Sequence, residues 1–155
     1  MWPPPSPLEE GTHGDPGLYG PGSAVWTIGR ERVLLAGGQS ALLMQVAHPL
    51  VAAGVAAHSD FHADPFARLR ATLDAMLTIA FGDVSQARAA AARVAAVHAR
   101  VRGRLPGPAG PFPAGTPYRA TDPSLSLWVH ATLVHTSIEA YARFVRRPPP
   151  SLFER

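Results

Sequence analysis

From about Ser23 onward, apolar positions recur every three or four residues, the period of a helix with one buried face. "SAVWTIGRERVLLAGG" carries that spacing and ends at Gly37-Gly38, a glycine pair of the kind that stops helices. A second helix is expected from Gln39 to Ala47. His48-Pro49 interrupts it, because the proline ring pushes the preceding residue out of the α region. Pro49 suits the first turn of a third helix that continues to about His58. Asp64-Pro65 repeats the arrangement and predicts a helix from Pro65 to about Phe81, with Leu69, Leu73, Met76 and Ala80 as its apolar stripe. Gly82 closes it. The alanine-rich segment Val84 to Arg102 places Ala87, Ala91, Val94, His98 and Val101 on one face. Asp122-Pro123 opens the last long helix, through "SLSLWVHATLVHTSIEAYARFVRR".

Between these segments the pattern breaks. Residues 1–22 hold much of the proline and glycine and read as a flexible lead-in. "GRLPGPAGPFPAGTPY", Gly103 to Tyr118, reads as a long loop, functional or disordered. The final "PPPSLFER", residues 148–155, reads as a tail. There is no strand-like alternation and no internal repeat. The expected class is all-α, a helical bundle over residues 23–147.

Composition narrows the function classes. Only 16% of residues are charged against 46% hydrophobic, which points to heavy burial or to a surface meant for a partner or a lipid. All 14 basic residues are arginine, the net charge is only +3, and the arginines are spread over helical segments. A nucleic-acid footprint needs a concentrated basic face, so no nucleic-acid partner is expected. Absence of cysteine excludes disulfides, zinc–thiolate sites, iron–sulfur clusters, thiolate-ligated haem and covalent C-x-x-C-H haem attachment. The N-terminus lacks the basic-then-apolar order of a secretory signal. The apolar run Ala41–Ala57 contains Gln45, His48 and Pro49 and falls short of a membrane span. A cytoplasmic protein is expected, with membrane-surface contact left open.

Four constellations carry candidate chemistry. His98 lies in the apolar stripe of its helix, where an imidazole either is satisfied within a core or donates a neutral nitrogen to a metal or haem iron. Arg68 and Thr72 are four apart and share a helix face with Ala75 and Ile79. A guanidinium entering a buried surface requires an anion, either Asp64 one turn back or a bound group such as a cofactor carboxylate. In "WVHATLVHTSIEAY", His130 shares a stripe with Leu127, Val134 and Tyr141 and reads as buried, while His135 and Glu139 read as a surface pair. His48 and His58 read as a helix-junction residue and a helix C-terminal residue. No H-E-x-x-H or Glu-x-x-His pair on these helices supplies a di-metal signature, and no G-x-S-x-G or G-x-x-x-x-G-K-[ST] motif is present.

The blocks "GGQSALLMQVAHPLVAAGVAAHSDFHADPFARLRATLDAMLTIAFGD", "RVAAVHARVRG" and "YRATDPSLSLWVHATLVHTSIEAYARFV", in that order, resemble the mpaB / latex-clearing-protein (rubber oxygenase) family of all-helical haem proteins. The resemblance covers about Trp26 to Val145. It implies a non-covalent haem b whose iron is held by His98, with Arg68 and Thr72 matching the family's arginine–threonine motif in the haem pocket and taking part in catalysis. It further implies dioxygen and a hydrophobic small molecule as substrates, isoprenoids being one candidate class. Two positions depart from the rubber-cleaving members. Their lysine before the threonine is Ala71 here, in a chain with no lysine, and their upstream glutamate has no counterpart between Glu31 and Asp60. A different oxidation is therefore expected. Family members continue through further helices after the block ending in Val145, so the chain is expected to be an N-terminal portion of such a protein. The alternatives are a non-catalytic helical remnant or interaction module, and a non-haem metal hydrolase using His48, His58 and His130.

Overall fold

The Ser23 hydroxyl accepts the Trp26 N–H at 3.2 Å and so starts the first helix, α1 (Ala24–Gly29). The computed structural model describes residues 14–58 and 65–154, without the side chains of Pro65, Ala67 and Arg68. Five more helices follow α1: α2 (Leu34–Val46), α3 (Pro49–His58), α4 (Pro65–Phe81), α5 (Val84–His98) and α6 (Pro123–Phe144). A short hairpin, β1 (Arg102–Arg104) with β2 (Pro117–Arg119), lies between α5 and α6. The fold is all-α apart from that hairpin. No described helix is by itself long and apolar enough to cross a membrane.

The described residues pack as two compact units. One draws on residues 14–30, 65–94 and 149–154, the other on residues 31–58 and 95–148. Of the lead-in and the Asp64 cap, residues 1–13 and 59–64 lie outside the described residues, and residues 14–22 form turns.

In the first unit, α1 meets α4 through Trp26, whose ring stands edge-on to Phe81 with centroids 5.3 Å apart. Ile28 and Phe81 are buried there. At the start of α5, Asp83 and Gln86 cap the helix reciprocally. The Asp83 carboxylate accepts the Gln86 N–H at 2.7 Å, and the Gln86 side-chain oxygen accepts the Asp83 N–H at 3.0 Å. This is a capping box, satisfying two backbone donors that a helix start otherwise leaves open. Asp15 adds a tie: its carboxylate accepts both the Gly17 N–H and the Val84 N–H.

The second unit is organised by α2 and α6. The glycine pair expected to stop the first helix instead lies inside α2. A Cβ on Gly37 would come within 3.2 Å of the Thr136 carbonyl oxygen and 3.4 Å of the Ala140 methyl. Glycine is needed for this approach, and the tertiary contact overrides its poor helix propensity. Ala41, Thr132, Thr136 and Ala140 are buried in the same unit. The threonine hydroxyls donate back to carbonyls of their own helix, Thr132 to Val129 and Thr136 to Thr132. They therefore require no partner from α2. His48-Pro49 breaks the chain as expected, and α2 and α3 diverge by 106°.

The segment read as a long loop is ordered by the hairpin. Tyr118 is buried, and its ring packs on Gly54 of α3, where an added Cβ would lie 3.6 Å from it. Gly103 faces the same ring so closely that a Cβ would meet the Tyr118 hydroxyl at 2.5 Å. A second, isolated pairing joins Ala109 and Phe112. Helix α5 consequently ends at His98 rather than Arg102. Strands of three residues are too short to announce themselves by alternation.

Two measurements probe this architecture. Gly37→Val is expected to destabilise the second unit by about 1–3 kcal/mol through overpacking, read by urea unfolding. Asp122 caps α6, and the Ser124 hydroxyl and N–H donating to its carboxylate lower its pKa from the ordinary 3.8. A carboxyl depressed in the folded state contributes stability above its unfolded pKa and loses it as pH falls through the folded one. Asp122→Ala should melt below the parent at neutral pH, and the difference should shrink as pH falls below about 3.8; Asp122→Asn should retain the cap.

Candidate functional site

His98 is the last residue of α5 and is exposed, which corrects the expectation that it lies on a buried stripe. The buried residues of α5 are Ala87 and Ala90, with Val94 half-buried beyond them, whereas Ala91 faces solvent. One turn later Val97 is 51% exposed, so the burial has run out before His98 is reached. The imidazole has no hydrogen-bond partner among the described residues, and both ring nitrogens are open to a ligand. The backbone carbonyl of His98 accepts the Val101 N–H at 3.0 Å, turning the chain from α5 into β1.

Arg68 and Thr72 sit one turn apart on α4, and the Thr72 side chain is exposed. Asp64, the nearby carboxylate considered for Arg68, lies outside the described residues. Ala71 is likewise exposed. Arg68 and Thr72 belong to the first unit and His98 to the second, each described within its own unit.

The remaining histidines have separate surroundings. His48 is half-buried between the rings of Phe112 and Trp128, with centroids at 5.5 and 5.9 Å. Its Nδ1 accepts the Leu50 N–H at 3.3 Å, so it does bond neighbouring backbone at the helix junction. Trp128 secures the same junction by donating its indole N–H to the Gln45 carbonyl at 3.2 Å. At the other end of α3, His58 Nε2 lies 3.1 Å from the Arg102 carbonyl oxygen and the ring stands edge-on to Tyr118. His130 is exposed, which corrects the burial assigned to it: of its stripe Tyr141 is buried, but Leu127 and Val134 are 66% and 43% exposed, and the buried residues of α6 are Leu125, Thr132, Thr136, Ala140 and Tyr141. Among the described residues no group of three or more His, Asp or Glu side chains could hold a metal ion. His48, His58 and His130 therefore do not form a metal-ligand set.

Sequence reasoning missed the aromatic surroundings of His48, because Phe112 and Trp128 lie 64 and 80 positions away from it in the chain. It also missed the hairpin, whose available signal is the opposition of Arg102-Gly103-Arg104 to Pro117-Tyr118-Arg119. Two shallow surface concavities, one at Tyr19–Ser23 and one among Glu139, Ala142, Arg143 and Arg147, include neither Arg68, Thr72 nor His98.

The family model described as ER-bound oxygenase mpaB/B'/rubber oxygenase, catalytic domain, matches residues 25–155. No curated protein and no solved structure matches the chain.

The junction around His48 has a direct test. Trp128→Phe keeps an aromatic ring beside His48 but removes the donor to Gln45, and should cost about 0.5–1.5 kcal/mol in denaturant unfolding of the second unit.

Proposed function

The chain belongs to the mpaB/rubber oxygenase catalytic-domain family, and from that premise we propose that it is a haem b-dependent oxygenase acting with dioxygen on a hydrophobic small molecule. The observation that carries this reading is the family match across residues 25–155. The donor chemistry of the chain is compatible with it. The absence of cysteine rules out a thiolate ligand and leaves histidine, the ligand the family resemblance implies, available for haem iron. His98, with both ring nitrogens unpartnered among the described residues, is available for that role.

Haem, when bound, would supply a redox-active iron for chemistry with dioxygen. His98 would hold the iron through a neutral ring nitrogen, which coordinates without burying a charge. Arg68 would offer a guanidinium to an anionic group such as a haem carboxylate, and the Thr72 hydroxyl would donate a hydrogen bond. Ala71 supplies no distal amine, so the oxidation differs from rubber cleavage that depends on one.

A second reading, a helical interaction module without catalysis, is favoured by one observation. Leu43 and Leu127 are 71% and 66% exposed, with Leu35 and Leu42 exposed on α2 as well. These leucines lie on α2 and α6, the two helices that organise the second unit.

Titration with haemin separates the two. The oxygenase reading expects a Soret band saturating at one equivalent. His98→Ala should weaken haemin binding by about tenfold or more, about 1.4 kcal/mol. A flat titration, accompanied by concentration-dependent association in sedimentation, would instead establish the interaction module.

A further inference from the structure

The hairpin places charge in a way that helices elsewhere in the chain do not. Arg102 pairs with Arg119 and Arg104 with Pro117 across the two strands. The bonds from Ala120 N–H to the Val101 carbonyl and from Leu105 N–H to the Thr116 carbonyl mark the hydrogen-bonded pairs. Arg102 and Arg119 lie between them, at a non-hydrogen-bonded pair, where opposite side chains come closest, with Cα atoms about 4.5 Å apart. Pro117, which has no N–H to give, occupies the other such position at no cost to the ladder.

Side chains alternate across a strand, so the hairpin has two faces. Gly103 and Tyr118 make the inner one, with Tyr118 buried on α3. Arg102, Arg104 and Arg119 make the outer one, and all three are exposed. None has a carboxylate partner among the described residues. Arg104 gives one N–H to the Gly115 carbonyl at 2.9 Å, which holds its guanidinium over the hairpin. The sequence contains no Asp or Glu between Asp83 and Asp122, and the Asp122 carboxylate is committed to Ser124. Like charges held directly opposite each other destabilise a strand pair. Among the described residues, three guanidinium forks on an anchored register therefore stand without an anionic partner.

We propose that the outer face of the β1–β2 hairpin, formed by Arg102, Arg104 and Arg119, is a binding site for a phosphate-bearing ligand, with a diphosphate as the best match. Guanidinium groups recognise phosphate oxygens through paired N–H donors. A diphosphate carries enough negative charge to neutralise three arginines together, whereas one carboxylate neutralises one. The site is independent of the haem reading, because it needs no residue that reading uses.

Inorganic pyrophosphate at low ionic strength is the probe, since salt screens exposed charge. It should raise the melting temperature of the intact chain by about 2–4 °C. The double variant Arg102→Gln, Arg119→Gln should lose that rise and bind pyrophosphate at least about tenfold more weakly by calorimetry. It should also melt no lower than the parent without ligand, since the change removes like-charge repulsion. Arg143→Gln on α6 should respond as the parent does. An equal rise in the double variant, or no rise in the parent, overturns the proposal. Vesicles containing phosphatidate identify the source of the phosphate. Co-sedimentation that pyrophosphate competes away and the double variant loses assigns the site to a lipid headgroup; no co-sedimentation beside a retained pyrophosphate effect assigns it to a soluble ligand. Binding to oligonucleotides that grows with their length, with no response to pyrophosphate, also overturns it.

Discussion

The close approach of α2 to α6 at Gly37 is the constraint on which the second unit depends. Once α2 lies against the Thr136 backbone and the Ala140 methyl, Trp128 of α6 can reach the Gln45 carbonyl at the far end of α2. That bond secures the last turn of α2 beside His48, whose own ring is held between Phe112 and Trp128. The path of α3 away from that junction carries Gly54 under Tyr118, and Tyr118 anchors the hairpin. A hydrogen atom in place of a side chain at one position thus sets the arrangement of three helices and two strands.

Much of this could be read from the sequence where backbone chemistry is local. Pro49 and Pro65 mark helix starts wherever they occur, because their missing N–H and fixed φ suit the first turn and disfavour the helical conformation in the residue before. The Asp122-Pro123 start of α6 followed the same rule. Gly37-Gly38 misled because the reason for glycine there is a helix about a hundred residues further on. In α5 the difficulty was different. An alanine-rich helix offers little contrast between faces, since alanine fits a buried or an exposed position equally well. A stripe drawn through Ala91 to His98 was as consistent with the sequence as the observed one through Ala87 and Ala90. For α6 the apolar pattern pointed only partly the right way, because Leu125 and Tyr141 are buried while Thr132, Thr136 and Ala140, rather than Leu127 and Val134, fill the rest of its buried side.

The candidate site residues were recognisable by resemblance rather than by pattern. Thr72 and His98 both stand exposed, so neither is committed to the packing of its own unit. The oxygenase family membership rests on the match along the chain. Their exposure leaves both side chains open to a bound group. The hairpin arginines begin four residues after His98, and charge segregated there belongs to the same stretch that a sequence count spreads thinly over the chain.

The reciprocal cap formed by Asp83 and Gln86 has a consequence for how the chain acquires its structure. Its two hydrogen bonds join residues only three apart, and the helix they open is rich in alanine, the residue with the highest intrinsic helicity. Helix nucleation is costly because several backbone torsions must be fixed before the first bond forms. A local cap lowers that barrier before any distant part of the chain has arrived. Helix α5 is therefore the segment best equipped to form early in folding, while α2 must wait for α6 and a closure of about a hundred residues.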